Sequence, residues 1–326
     1  MLEPQQHWNS GWIYRDRIAP ADAGSTVLDY YTRRYRHSSL RTWHDRINAQ
    51  QIYLGDRPAT ADQTLETGQE LEYRRPPWVE PAVPLDVQVL YNDADLMVVS
   101  KPAGLPVMPA GGFLEHTLLH QVQRLDCDRH PNRFHAKPWA PVPIHRLGRG
   151  TSGLVLLARS PLGKSRLTQQ MRDRQITKHY LALATGRPPQ SQFSITTPIG
   201  KLPHPTLGTL YGASPQGKFA HSICRVLHWD SSRNQSVIQV QILTGRPHQI
   251  RIHLASAGFP LVKDPLYESG GRPRLNDHPP HPLPGDGGYA LHACQLGFKH
   301  PRSDRPLTLT APVPHPFPIP FPNIRT

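Results

Sequence analysis

Cysteine is scarce: Cys127, Cys224 and Cys294 are the only three in 326 residues, and no two form a CxxC pair. That count and spacing exclude a disulfide framework and a thiolate zinc site, and point to a reducing compartment. No stretch reaches the roughly 18 apolar residues that a membrane-spanning helix requires. The opening MLEPQQHWNSGWIYRDR lacks an apolar core followed by a cleavage pattern, so no secretory leader is expected and a cytoplasmic location is. Acidic residues are also few, 24 against 37 Lys and Arg, for a formal net charge of +13. A basic surplus of that size favours a phosphate-bearing partner, although a protein that is merely basic has the same composition.

Proline, by contrast, is abundant at 37 residues, clustered at 76–84, 131–143, 279–284 and 312–322, where it marks linkers and loops. The patterning predicts an α+β chain in two parts. Residues 26–37 and 39–49 read as short helices, with Ser25 and Ser38 or Ser39 as caps. A short apolar segment at 51–54, a Gly55–Asp56 turn and a strand within LETGQELEY complete a small module, residues 1–75. Its basic helices and small sheet resemble an RNA-binding module of a ribosomal small-subunit protein. Arg33, Arg34, Arg41 and Arg46 are its candidate phosphate contacts, with an ordinary solvated face as the alternative. Residues 76–84 read as a proline-stiffened linker and 85–326 as the second domain. There, two strands flank a turn at 92–95, and helices are expected at 116–125, 160–175 (capped by Ser160) and 248–258. Strands are expected at 154–158, 180–185 and 236–243, and a surface loop at 269–288. Strands outnumber helices without alternating regularly with them, which fits α+β rather than a doubly wound sheet.

Four blocks of the second domain stand in a telling order: VLYNDADLMVVSKPAGLPV (89–107), IHRLGRGTSGLVLLAR (144–159), LTGRPHQIRIHLASAGFPLVKDPLY (243–267) and LHACQLGFKHP (291–301). With KHYLALATG at 178–186, they resemble the RluA-type RNA pseudouridine synthases over roughly residues 85 to 314. The resemblance implies that family's central mixed, largely antiparallel sheet. It also implies an isomerase that turns a uridine out of ribosomal or transfer RNA, cuts C1′–N1 and rejoins through C5, without a cofactor. Carried over residue by residue, Arg146 would fill the space left by the base and hold phosphates, Tyr180 would stack on the uracil, and Arg251 would pair with the catalytic carboxylate. Lys101, Arg149 and Arg246 join the RNA-contacting set. Taken singly, a tyrosine opening an apolar strand is core, and an arginine on a helix is a solvated base or an ion-pair partner. His145 and His248 read as structural.

One position departs from the resemblance. Where the family carries its catalytic aspartate, this chain has Gly148, with Arg149, Thr151, Ser152 and Gly153 intact around it. Three accounts stay open: a carboxylate from elsewhere (Asp93, Asp95, Asp126, Asp128 or Asp264), a water in its place, or an RNA-binding protein without catalysis. A buried Arg251 lacking that partner requires another acid or a phosphate beside it. An enzyme acting on a free nucleoside is a weaker rival, since a small substrate needs no basic face. His278 and His281 stand among prolines and glycines and predict no metal cage. GRGTSG and GGFLE lack the context of a nucleotide-binding loop. No metal or cofactor is expected, and a monomer is.

Overall fold

The computed structural model describes residues 8–129, 140–205, 207–276 and 280–317. The chain divides into two compact units, one ending at Pro81 and the other beginning at Ala82.

In the first unit, β1 (Trp12–Arg17), α1 (Val27–Arg34), α2 (Leu40–Asn48), β2 (Ile52–Leu54), β3 (Arg57–Pro58) and β4 (Glu70–Arg75) follow in order. The strands form an antiparallel sheet in the order β1-β4-β2-β3. The helices begin where a hydroxyl satisfies an orphan amide: Thr26 accepts from the Asp29 N–H and Ser39 from the Thr42 N–H. They lay Val27, Tyr30, Tyr31, Trp43 and Ile47 against Ile52, Leu71 and Tyr73 of the sheet. Three expectations are corrected here. The first cap is Thr26, not Ser25. The first helix stops at Arg34, because Tyr35 leaves helical geometry (φ −117°, ψ 67°). The strand sought in 65–73 starts only at Glu70, after a turn in which Gly68 takes φ +85°. The proline-rich stretch is also less of a linker than expected. Buried Asn9 donates to Glu80 Oε1 at 2.7 Å and accepts the Trp78 N–H at 3.1 Å, so its first half is built into this unit.

The second unit contains β5 (Gln88–Asn92), β6 (Leu96–Lys101), α3 (Leu118–Arg129), β7 (Val142–Pro143), β8 (Ser152–Ala158), α4 (Pro161–Arg172) and β9 (Thr177–Thr185). Then follow β10 (Gln192–Ile195), β11 (Ile199–His204), β12 (Gly208–Ala213), β13 (Ser222–Asp230), β14 (Gln235–Ile242), α5 (Gln249–Ser256), β15 (Leu291–Lys299) and β16 (Pro306–Thr310). The main sheet runs β10-β13-β14-β9-β15-β8-β6-β5, with β16 beside β15 and β7 beside β8. Among the described residues its one parallel pairing is β8 with β15, so the sheet is mixed and largely antiparallel.

The continuous apolar run of β8 has a simple cause. Val155 and Leu157 enter a cluster with Leu118, Val122, Ile250 and Leu254, whereas Leu154 and Leu156 join Leu167 and Phe298. Helices α3 and α5 therefore cover one face and α4 the other, and a strand buried on both faces does not alternate. Each such fully buried Val or Leu stabilises the fold by roughly 1.5–3 kcal/mol. No helix among the described residues is long and apolar enough to cross a membrane.

Candidate active site

The central strands converge on the α3/α5 face. Tyr180, on β9, sits between Val240 of β14 and Ala293 of β15 in register. Only 7 % of it is exposed, and burial pushes its phenol well above the usual range. The segment entering β8 brings Arg146, Leu147 and Gly148 alongside, and β14 ends in the loop that leads to α5. Glutamine stitches that loop: Gln249 Oε1 accepts from Thr244 Oγ1 at 2.7 Å and from the Arg246 N–H at 3.0 Å, while its Nε2 donates to the His221 carbonyl at 3.0 Å. His248, in the left-handed region at φ 54°, then turns the chain into α5. The result is a small cleft of about 100 Å³, lined by Arg146, Gly148, Tyr180, Arg246 and Arg251 together with Thr151, His248 and Tyr289.

Arg251 is 2 % exposed and fully oriented. Its Nε and Nη2 donate to Asp264 Oδ2 and Oδ1 at 2.7 and 2.6 Å. Asp264 Oδ1 also accepts the Leu266 and Tyr267 amides at 2.9 and 3.1 Å. The acid that a buried Arg251 requires is thus Asp264, and with that many donors it is a positioning group, not a free base. The guanidinium lies against two phenol rings, 4.2 Å from the Tyr289 centroid and 5.0 Å from that of Tyr267. Its Nη1 is buried and has no hydrogen-bond partner among the described residues.

Among the described residues, no carboxylate lines the cleft. Asp93 and Asp95 are occupied in the β5–β6 turn. Asp93 takes His300 and Tyr91, both at 2.8 Å, and Asp95 takes Arg302 at 2.7 and 2.8 Å with Ser160 at 2.7 Å. The side chains of Asp126 and Asp128, like His278, lie outside the described residues. At Gly148 the backbone imposes no glycine: its φ is not positive, and a Cβ there would meet only Tyr289 Oη at 3.5 Å and Thr151 Oγ1 at 3.6 Å. Gly153 differs, since its φ is +107° and a Cβ would lie 2.3 Å from the Ala293 carbonyl oxygen across the parallel pairing.

Two expectations about cations change. Lys101 is 1 % exposed, and its ammonium donates to the carbonyls of Pro102, Leu105 and Arg149 at 2.8, 2.7 and 3.2 Å. It braces the turn beside the site and is not a phosphate contact, although burial lowers it to about 7. Arg46 is half-buried over Trp43, 4.4 Å from the ring centroid, and donates to Ser38 Oγ at 3.1 Å. Arg33, Arg34 and Arg41 are exposed, with Arg33 paired to Asp22 at 2.7 Å. Arg149 donates from Nε to the Gly285 carbonyl at 2.7 Å, and Arg246 to that of Phe219 at 3.0 Å.

Sequence reasoning left His248 as structural and did not single out Tyr289. His248 Nδ1 lies 2.8 Å from Tyr267 Oη, whose own hydrogen goes to the Tyr211 carbonyl at 2.7 Å, so Nδ1 is the donor. Burial, assisted by the Arg251 and Arg146 charges, lowers its pKa to about 4, so its imidazole is neutral. Tyr289 is brought in by a contact between segments 138 residues apart, Thr151 Oγ1 to Tyr289 Oη at 3.4 Å, which no local pattern announces.

The RNA pseudouridylate synthase family model matches residues 95–256, the stretch that supplies most of this cleft. An uncharacterized RNA pseudouridine synthase of Synechocystis sp. is 44% identical over 288 residues, covering 88% of this chain and 94% of that one. The chain belongs to the RNA pseudouridine synthase family. RNA pseudouridine synthase 5 of Oryza sativa is 40% identical, over 95% of this chain and 89% of that one. The fold of this synthase also resembles that of human RNA pseudouridylate synthase domain containing 4, with TM-score 0.51 and 24% identity over 70% of this chain and 89% of that one. The family's reaction is the isomerisation of uridine to pseudouridine in RNA.

Proposed function

We propose that this synthase, of the RluA type, acts on uridines of ribosomal or transfer RNA in the cleft around Gly148. The observation carrying this reading is the meeting of Arg146, Tyr180 and the Arg246–Arg251 segment, three stretches separated in the chain, in one cleft. Breaking C1′–N1 requires the nucleotide to leave its stack, which costs a few kcal/mol. Exposed Arg146 is free to enter the vacated space and hold phosphate, Tyr180 offers a stacking face to the uracil, and Arg251 holds a fixed positive charge beside the sugar. The first unit, residues 1–75 in essence, adds affinity as an RNA-binding module through Arg33, Arg34 and Arg41. The protein works as a cytoplasmic monomer without metal or cofactor.

The second reading is an RNA-binding protein or chaperone on the same scaffold. It is favoured by one observation, the absence of a carboxylate from the cleft lining among the described residues, which fits Gly148 standing at the family's aspartate position. Tritium release from RNA transcribed with C5-labelled uridine separates the two, because rejoining through C5 expels that hydrogen. Release on ribosomal or transfer RNA, lost in Tyr180→Ala, is the expected result. Salt-sensitive binding with no release on either RNA establishes the silent reading instead.

A further inference from the structure

We propose that the Tyr289 hydroxyl supplies the catalytic oxygen of this cleft, in the place where a side chain at position 148 would have put one. The inference rests on the isomerase reading above and deepens it. Three observations carry it.

The first is position. A Cβ on Gly148 would lie 3.5 Å from Tyr289 Oη, so the hydroxyl borders the space that a side chain at 148 would enter. The second is fit. A Cβ on Gly150 would press on Tyr289 at 3.0 Å from Oη and Cζ and 3.1 Å from Cε1, so Gly150 makes room for the ring while Gly148 leaves space at the hydroxyl. The two glycines of GRG and the tyrosine thus form one constellation. The ring is packed, being 6 % exposed and two residues before the start of β15. The third is charge. The Arg251 guanidinium sits 4.2 Å from the Tyr289 centroid, and its buried Nη1 has no partner among the described residues. A fixed cation therefore borders the ring that carries the hydroxyl. Among the other groups lining the cleft, Thr151 carries a weakly acidic hydroxyl at 3.4 Å from Tyr289 Oη, placed to hydrogen-bond the phenol rather than to replace it.

The chemistry balances without a co-reactant. The phenol first gives its proton to solvent. The phenolate then takes the hydrogen from ribose C2′; the C2′–H pair becomes the C1′–C2′ π bond, and the C1′–N1 pair leaves with the uracil as its anion. After the uracil turns, the phenol returns the proton to C2′, and the uracil C5 pair bonds to C1′. The C5 hydrogen departs as a proton to water while N1 takes one up, and the phenolate is restored.

The test measures C5 tritium release by the natural protein, Tyr289→Phe, Gly148→Asp and the double variant, with RNA binding measured alongside. Tyr289→Phe removes one oxygen and leaves the ring packed. It is expected to slow release by about 100-fold or more, the usual scale for a lost acid–base group, with RNA affinity unchanged. The double variant should recover release. Release by Tyr289→Phe at the natural rate overturns this proposal while leaving the isomerase reading intact. No release by the natural protein, with release by Gly148→Asp, overturns both and shows the scaffold to be competent.

Discussion

The two sides of the cleft are built on opposite terms. On the α5 side most groups are committed: Arg251 is clamped by Asp264, Asp264 also accepts two backbone amides, and Gln249 fixes the loop that leads to them. On the β8 side, Gly148 contributes no side chain, and the hydroxyls of Thr151 and Tyr289 face the space it leaves. The first side supplies rigidity and fixed charge, which precede catalysis. The second supplies room, which a substrate must fill. The difference teaches that orientation and reactivity are held by different segments, so they can be damaged separately.

The largest expected effect breaks the committed side. Asp264→Asn leaves a buried guanidinium without its charge partner, which costs on the order of 3–5 kcal/mol. Thermal melts should show a drop of about 10 °C or more; a loss within 1 °C would mean that the pair does not organise this side. Next comes a contrast between glycines. Gly153→Ala meets the Ala293 backbone at 2.3 Å in a left-handed conformation and should cost more than about 2 kcal/mol. Gly148→Ala should change stability by no more than about 0.5 kcal/mol, and equal denaturation midpoints for the two variants would erase the distinction drawn between them.

Protonation probes one buried imidazole near each side. His253 on α5 and His292 on β15 are 0 % and 1 % exposed, and burial lowers each from 6.5 to about 4. The unfolded chain therefore binds protons that the folded one refuses as pH falls from 6.5 toward 4. Each histidine can remove up to roughly 3 kcal/mol of stability across that window. Urea midpoints should be level near pH 7 and fall by pH 5; a flat profile would show that these imidazoles protonate in place. The smallest effect on stability belongs to the open side. Arg146→Ala, at an exposed position, should leave melting within the error of ordinary surface substitutions. It should lower RNA affinity and reduce the slope of binding against log salt by about 1, and an unchanged slope would remove Arg146 from the phosphate contacts.

Much of this was legible in residue order. The helices at Ser39 and Ser160 are capped as their hydroxyls predict, and the β5–β6 turn, β8, β9, β14 and α5 fall within a few residues of their patterns. Strand β1 and strands β10 to β13 were not foreseen, because their partly exposed, mixed sequences lack a clear period and are held by partners distant in the chain. The cleft was legible only in part. Arg146, Tyr180, Arg246 and Arg251 are carried by motifs whose order survives in the sequence. Lys101 was misread because its burial depends on three carbonyls brought together by folding, and a lysine's letter does not reveal whether water reaches it.

By itself, then, the sequence determined the periodicities, caps, turns and charge surplus, all set by neighbours a few residues apart. It also determined that position 148 has no side chain. Only the tertiary structure decided that Asp264 answers Arg251, that Gly153 is required and Gly148 is not, and that Tyr289 arrives beside the vacated space. Those outcomes depend on the parallel pairing of β8 with β15 and on the docking of α5. Packing distances, not residue types, determine which groups meet there.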